Sequence, residues 1–81
     1  MRFTLSRAER DRGRPVRKLI LGPSQSFGAT VGYVWRQDAE WTAISKFGGP
    51  WIKARTQSET RRILEARIRQ QIKAMAKEFS L

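Results

Sequence analysis

The chain has 81 residues and a formal net charge of +10, from 17 Lys and Arg against 7 Asp and Glu, and it has no Cys and no His. A chain of this length folds as one domain at most. The absence of Cys and His excludes disulfide bonds, thiol nucleophiles and the usual zinc sites, and it removes the commonest general base. We therefore expect a protein that is not an enzyme and needs no cofactor.

No apolar run has the length of a signal peptide or of a bilayer span. We expect a cytoplasmic protein without a membrane partner.

The positive charge lies at the two ends of the chain. Residues 1–18 carry 7 basic and 2 acidic side chains, residues 19–52 carry 2 of each, and residues 53–81 carry 8 and 3. The excess is therefore 7 − 2 = +5 at one end and 8 − 3 = +5 at the other. Of the 17 basic residues, 12 are Arg, the side chain that binds phosphate and guanine edges in a bidentate manner. A polyanionic partner follows, and nucleic acid is the commonest one.

Residues 1–15 form a basic N-terminal segment that ends in Gly13-Arg14-Pro15. Ser6 and Glu9 have the spacing of a capping box, which would allow a short helix from Arg7 to Arg12. The apolar stripe of such a helix is thin, so we predict a flexible basic arm instead. Residues 16–81 then form a single folded domain.

Three segments have the composition of β-strands: residues 16–21, 29–36 and 40–46. The polar tripeptide between the second and third predicts a hairpin loop. Residues 51–55 form either a short fourth strand or an extended entry into a helix.

The register of this hairpin decides where the aromatic residues point. A three-residue loop places Trp35 opposite Trp41, on one face with Tyr33. For a two-residue loop we predict a Val34–Trp41 pair, which mixes the two faces. The sequence leaves the register open. Because a small domain needs apolar area, we predict that at least two of the three aromatics pack inward against the helix.

The last third of the chain predicts a long amphipathic helix of about 22 residues, or about 33 Å. It has no Gly or Pro after Thr56, and Thr56 and Glu59 have capping-box spacing, with Ser58 as a rival N-cap. The predicted apolar face consists of Leu64, Ile68, Ile72, Met75 and Phe79. A second arc, which we call the basic stripe, consists of Arg62, Arg69, Lys73 and Lys77.

The predicted fold is therefore α+β: a three-stranded antiparallel sheet packed by one C-terminal helix, with a basic arm in front. The helix is longer than such a sheet can cover, so its last turns could also join two copies into a homodimer. The candidate nucleic-acid contacts come from the arm, the sheet and the helix. They are Arg12, Arg14, Arg17, Lys18, Arg36, Thr42, Lys46, Lys53, Arg55, Arg62, Arg69 and Lys73.

No arrangement of residues indicates catalysis or metal binding. Asp38 and Glu40 lie near a hairpin tip, where turn formation and solubility explain them. Gly48-Gly49 lacks the Gly-Lys-Ser/Thr ending of a phosphate-binding P-loop, so we interpret it as a turn.

The segments "VGYVWRQDAEWTAISK" and "TQSETRRILEA" resemble the arm-type N-terminal DNA-binding domains of phage and transposon integrases over residues 16–70. That resemblance implies a three-stranded sheet with a helix on one face and the DNA major groove on the other. It would make Arg36, Thr42, Lys46 and Lys53 groove-facing, in a free-standing and phage-encoded protein. Departures are the long loop from Gly22 to Gly28 and the missing catalytic domain. Double-stranded-RNA-binding domains share the element order, but their Lys-Lys motif is absent at this helix start.

We accordingly predict a small nucleic-acid-binding protein that prefers double-stranded DNA and holds it through Arg/Lys–phosphate contacts. Two alternatives remain open. The first is a protein-interaction module or inhibitor that binds an acidic protein, and the second is a basic ribonucleoprotein component.

Overall fold

A computed structural model describes residues 2–11, 13–23 and 27–79, together with all of their side chains except those of Asp11 and Phe79. It contains six β-strands followed by one α-helix. The strands are β1 (Phe3–Leu5), β2 (Glu9–Asp11), β3 (Arg14–Leu21), β4 (Ala29–Gln37), β5 (Glu40–Ser45) and β6 (Ile52–Ala54), and the helix is α1 (Gln57–Phe79). The α+β class and the single C-terminal helix are confirmed, but the sheet has six strands rather than three.

All strand pairs are antiparallel, in the order β1–β3–β4–β5–β6, and β2 also pairs with β3. Phe3 pairs with Leu21 at one end of β3, and Glu9 pairs with Val16 near the other. Ser6 lies between these two short strands, and its Oγ accepts a hydrogen bond from the Lys18 N–H of β3 at 2.8 Å. The N-terminal segment, expected as a flexible arm or a helix, therefore contains the edge strands β1 and β2 and the first residues of β3.

The β4–β5 hairpin closes with a two-residue loop, Asp38-Ala39, between the paired Gln37 and Glu40. Asp38 has a φ of 58°, a left-handed conformation that Asp tolerates better than most side chains. Of the two loop lengths that the sequence left open, the structure therefore has the two-residue one. Our Val34–Trp41 pair is wrong, because a two-residue loop pairs Arg36 with Trp41.

This register places Trp35 and Trp41 on opposite faces of the sheet. Trp35 pairs with Thr42, whereas Trp41 pairs with Arg36, the residue after Trp35. Neighbouring residues of a strand point to opposite sides of the sheet. Trp41 packs against the core. Trp35 is also buried, so the prediction that at least two of the three aromatics belong to the core is confirmed. Tyr33 lies on the face of Trp35, so the prediction that two of them pack against the helix is wrong.

The helix packs on one side of the sheet, which we call the helix-covered face. Leu19, Val34, Ala43 and Ile52 are buried there against Leu64 and Ile68 of α1. Burial of such side chains contributes about 1.5–3 kcal/mol each before entropy is counted. Ile72 packs against this core and Met75 is half-buried, as the helical period predicted.

A β-bulge and a glycine adapt the sheet to the helix. Leu19 pairs with Gly32 but Ile20 pairs with Thr30, so Val31 is the extra residue of β4, and its carbonyl accepts from the Lys46 N–H at 2.9 Å. A Cβ on Gly32 would lie 3.0 Å from Leu64 Cδ2. Only a hydrogen at this position lets the helix approach so closely.

The helix begins as the sequence predicted. Thr56 Oγ1 accepts from the Glu59 N–H at 3.1 Å, which satisfies one of the unpaired donors of the first turn. The Arg61 side chain fixes the helix to the edge strand β1, since its Nη2 donates to the Phe3 carbonyl at 3.2 Å. At 23 residues the helix is about 34 Å long.

Candidate nucleic-acid interface

The basic stripe lies on the solvent-exposed side of α1, and one of its members, Arg69, reaches back to the edge strand β1. Its four members are exposed, whereas Leu64 and Ile68 on the opposite side are fully buried. The side chains of Arg62, Lys73 and Lys77 form no hydrogen bond or ion pair with any described residue. Arg69 lies with its Cζ 4.9 Å from the centre of the Phe3 ring, which is cation–π geometry. The stripe is therefore a cationic surface without acidic partners among the described residues, and its length is about 22 Å, from the 15 steps of about 1.5 Å between Arg62 and Lys77.

Elsewhere in the described chain, too, basic side chains outnumber those that form an ion pair. Two ion pairs join described residues: Lys18 with Glu9 at 3.5 Å, and Arg61 with Glu65 at 3.2 Å. Both are at least partly solvated, so each contributes little to stability. The remaining described Lys and Arg side chains keep their charge for solvent or for a ligand.

The predicted sheet contacts do not share one surface. Lys18 and Lys53 lie on the face opposite the helix, which we call the outer face, because Lys18 pairs with Tyr33 and Lys53 with Thr42. Arg17 and Arg36 lie on the helix-covered face instead. The structure therefore separates cations that the sequence grouped together.

The remaining five candidates have different outcomes. Arg14, Lys46 and Arg55 are exposed near strand ends, and Arg12 lies outside the described residues. Thr42 is on the outer face but only 1% exposed, so in this conformation it offers no atom to a ligand. The groove-facing role that the integrase resemblance implied for Thr42 is thus blocked by burial, and Arg36 faces the wrong side for it.

The outer face carries its own aromatic cluster. Trp51 lies immediately before Ile52, which faces the helix, so Trp51 lies on the outer side. Its ring packs edge-on against that of Trp35, with the ring centroids 5.4 Å apart. Trp35 is 8% exposed and donates from Nε1 to Gln37 Oε1 at 3.2 Å, whereas Trp51 is 54% exposed. Sequence reasoning assigned Trp51 no role, because the Gly48-Gly49-Pro50 turn before it hides the strand alternation.

The outer face is electrostatically mixed. Lys18 is paired with Glu9, and Lys53 lies in a shallow depression that Asp38 and Glu40 also line. The cations on this side are therefore balanced by carboxylates, unlike those of the basic stripe.

A cleft on the helix-covered face holds basic side chains and has no acidic neighbour among its described lining residues. Its lining consists of Ala8, Pro15, Arg17, Val34, Arg36 and Trp41. The cross-strand pairs Arg17–Val34 and Arg36–Trp41 build it, so each arginine lies across from an apolar residue. The sequence named the two arginines as contacts, but the register that joins them to Trp41 was not predicted.

Within the described residues, no group of three or more acidic side chains is placed to hold a metal ion. Over the same residues, no helix is long and apolar enough to cross a membrane.

Searches with this chain found no matching family model, no matching curated protein and no matching solved structure. The resemblance to integrase arm-type domains therefore stays a prediction from the sequence.

Proposed function

We propose that this protein is a non-enzymatic nucleic-acid-binding module that prefers double-stranded DNA. The observation that carries the proposal is the basic stripe of α1, which is exposed along its whole length and forms no ion pair with the described residues. Phosphate neutralisation by such a surface supplies sequence-independent affinity, because it releases the counterions condensed on the duplex.

The spacing of the stripe favours a ligand over simple solvation. Arg69 and Lys73, and Lys73 and Lys77, are like-charged pairs four residues apart on one helix. Each such pair destabilises an isolated helix by about 0.2–0.5 kcal/mol. A solvated helix face usually alternates acids with bases and avoids this cost, whereas a polyanion bound along the stripe would convert the repulsion into attraction.

The dimensions support a duplex as the preferred form. The helix is about 34 Å long, close to one turn of B-DNA. A rigid row of cations suits the regular phosphate spacing of a duplex, and the DNA major groove admits an α-helix where the RNA major groove is too narrow.

Direct binding measurements test the proposal. A labelled DNA duplex of about two helical turns, titrated at 50 mM salt and followed by gel shift or filter binding, should be retained, and retention should fall steeply by 200 mM. An RNA duplex of the same length decides the preference between the two nucleic acids. If no nucleic acid is retained at 50 mM salt, the proposal fails.

One observation favours a second candidate, a module that binds an acidic protein. Trp51 is 54% exposed beside Trp35, and Phe47, four residues earlier, is 42% exposed. Exposed aromatics of this kind act as anchors in protein interfaces. Retention of an acidic protein that depends on Trp51, by a preparation that binds no nucleic acid, would favour this candidate over the first.

A further inference from the structure

The cleft lined by Arg17, Arg36 and Trp41 has no role in duplex binding by the basic stripe. We propose that it binds one unpaired nucleotide of a single-stranded segment, with the base against Trp41 and Val34 and the phosphate between the two guanidinium groups. This inference rests on the proposed function, since it names a second form of nucleic acid that the same protein would hold.

Charge complementarity identifies the ligand as an anion. Arg17 and Arg36 form no ion pair with a described residue, and the described lining contains no carboxylate. They lie on adjacent strands of one sheet face, with Val34 directly across from Arg17 and two residues from Arg36 on the same strand. Arginine's planar fork suits two phosphate oxygens at once, so a pair of such forks over one opening favours a phosphate group.

The apolar part of the lining identifies what the phosphate is attached to. Trp41 is half-buried and pairs directly with Arg36, so an aromatic residue and an arginine line the cleft from neighbouring strands. Pro15 and Ala8 complete an apolar rim. Nucleobases stack on aromatic rings and on Arg planes in proteins that bind single strands, and this stacking does not require a particular base.

The size of the cleft argues against a duplex. Its volume is about 260 Å³, somewhat below the roughly 300–1,000 Å³ of pockets that hold drug-sized ligands. Such a space holds one planar group, and a base can enter it only when it has left the stack of a double helix.

The decisive comparison uses two ligands with the same charge. A decamer of thymidine nucleotides and a decamer of abasic deoxyribose phosphates carry equal phosphate charge, but only the first has bases to stack. We expect the thymidine decamer to bind about tenfold more tightly at 100 mM salt, measured by fluorescence anisotropy of a 3′ label. Free thymidine monophosphate as competitor distinguishes a strand from a soluble nucleotide, and it should compete only at far higher concentration.

Matched variants locate the effect. The double variant Arg17→Gln with Arg36→Gln should lose the preference for the thymidine decamer. Arg2→Gln with Arg7→Gln removes the same charge from exposed positions that neither line the cleft nor belong to the candidate contacts, and should keep that preference. Trp41→Phe retains a ring against the core, so it should reduce the preference only in part, whereas Trp41→Leu should abolish it. Thermal unfolding of each variant checks that the sheet is intact.

The outcomes separate this inference from the proposed function. Equal affinity for the two decamers, or equal effects of the two double variants, overturns the cleft assignment but leaves duplex binding by the stripe in place. A protein that retains neither duplex nor single strand at 50 mM salt overturns both.

Discussion

Neutralising the basic stripe should weaken the salt dependence of DNA binding by a calculable amount. The variant Arg62→Gln, Lys73→Gln, Lys77→Gln removes three exposed charges that form no ion pair with described residues, and it spares Arg69 because that side chain packs on Phe3. Each phosphate contact contributes about 0.9 to the slope of log affinity against log salt concentration. Three lost contacts should therefore lower the slope by about 2.7.

The same figure gives a fold-change that is simple to measure. Between 50 and 200 mM salt the concentration rises fourfold, and four raised to the power 2.7 is about 40. The salt-induced loss of affinity should thus be about 40-fold smaller for the variant than for the unaltered protein. This ratio does not depend on how many other cations also contact phosphate.

The control is the triple variant Lys46→Gln, Lys53→Gln, Arg55→Gln. It removes the same formal charge from exposed positions on and beyond the sheet. If both triple variants change the slope equally, net charge rather than the stripe governs binding, and the assignment of the interface to α1 is refuted. If only the control variant changes the slope, the sheet is the contact surface.

The stripe variant should not unfold the helix. Gln has nearly the same helix propensity as Lys and Arg, and the substitutions remove two repulsive pairs four residues apart. We expect its free energy of unfolding to be unchanged or higher by up to about 1 kcal/mol. A large loss of stability would mean that these side chains make contacts the structure does not show.

Two further predictions concern the elements that position the stripe. Gly32→Ala should lower the free energy of unfolding by about 1–3 kcal/mol, because the new Cβ would lie 2.9 Å from the Ile44 carbonyl oxygen, which the sheet holds in place. Thr56→Ala should lower it by about 0.5–2 kcal/mol, since it removes the hydroxyl that accepts from the Glu59 N–H.

Urea denaturation followed by circular dichroism measures both effects. Thr56→Ser keeps a capping hydroxyl and should unfold close to the unaltered protein. A Gly32→Ala variant as stable as the parent would show that β4 and β5 can shift apart at that point without cost, contrary to the strand packing described.

Local chemistry predicted the helix well. The cap at Thr56, the absence of Gly and Pro, and the recurrence of Leu64, Ile68 and Ile72 are all properties of neighbouring residues, and helix hydrogen bonds connect residues four apart. The same recurrence predicted the basic stripe, because residues on one helix face are fixed by their spacing alone.

The strands were predictable as segments but not as a sheet. β-branched and aromatic residues marked β3, β4 and β5, yet β1 and β2 have three residues each and show almost no pattern. They become strands because β3 offers them an unpaired edge, and pairing between distant segments leaves little trace in the local sequence.

The sequence alone determined the charge, the helix and the order of the main strands, whereas the hairpin register determined the working surfaces. A shift of one residue in the β4–β5 loop reverses the side to which a strand's side chains point. Closing the loop with Asp38 and Ala39 sends Trp41 toward the helix and Trp35 toward the outer face, and it places Arg36 beside Trp41 in the cleft. That choice depends on which arrangement buries more apolar surface against α1, and only the packed tertiary structure decides it.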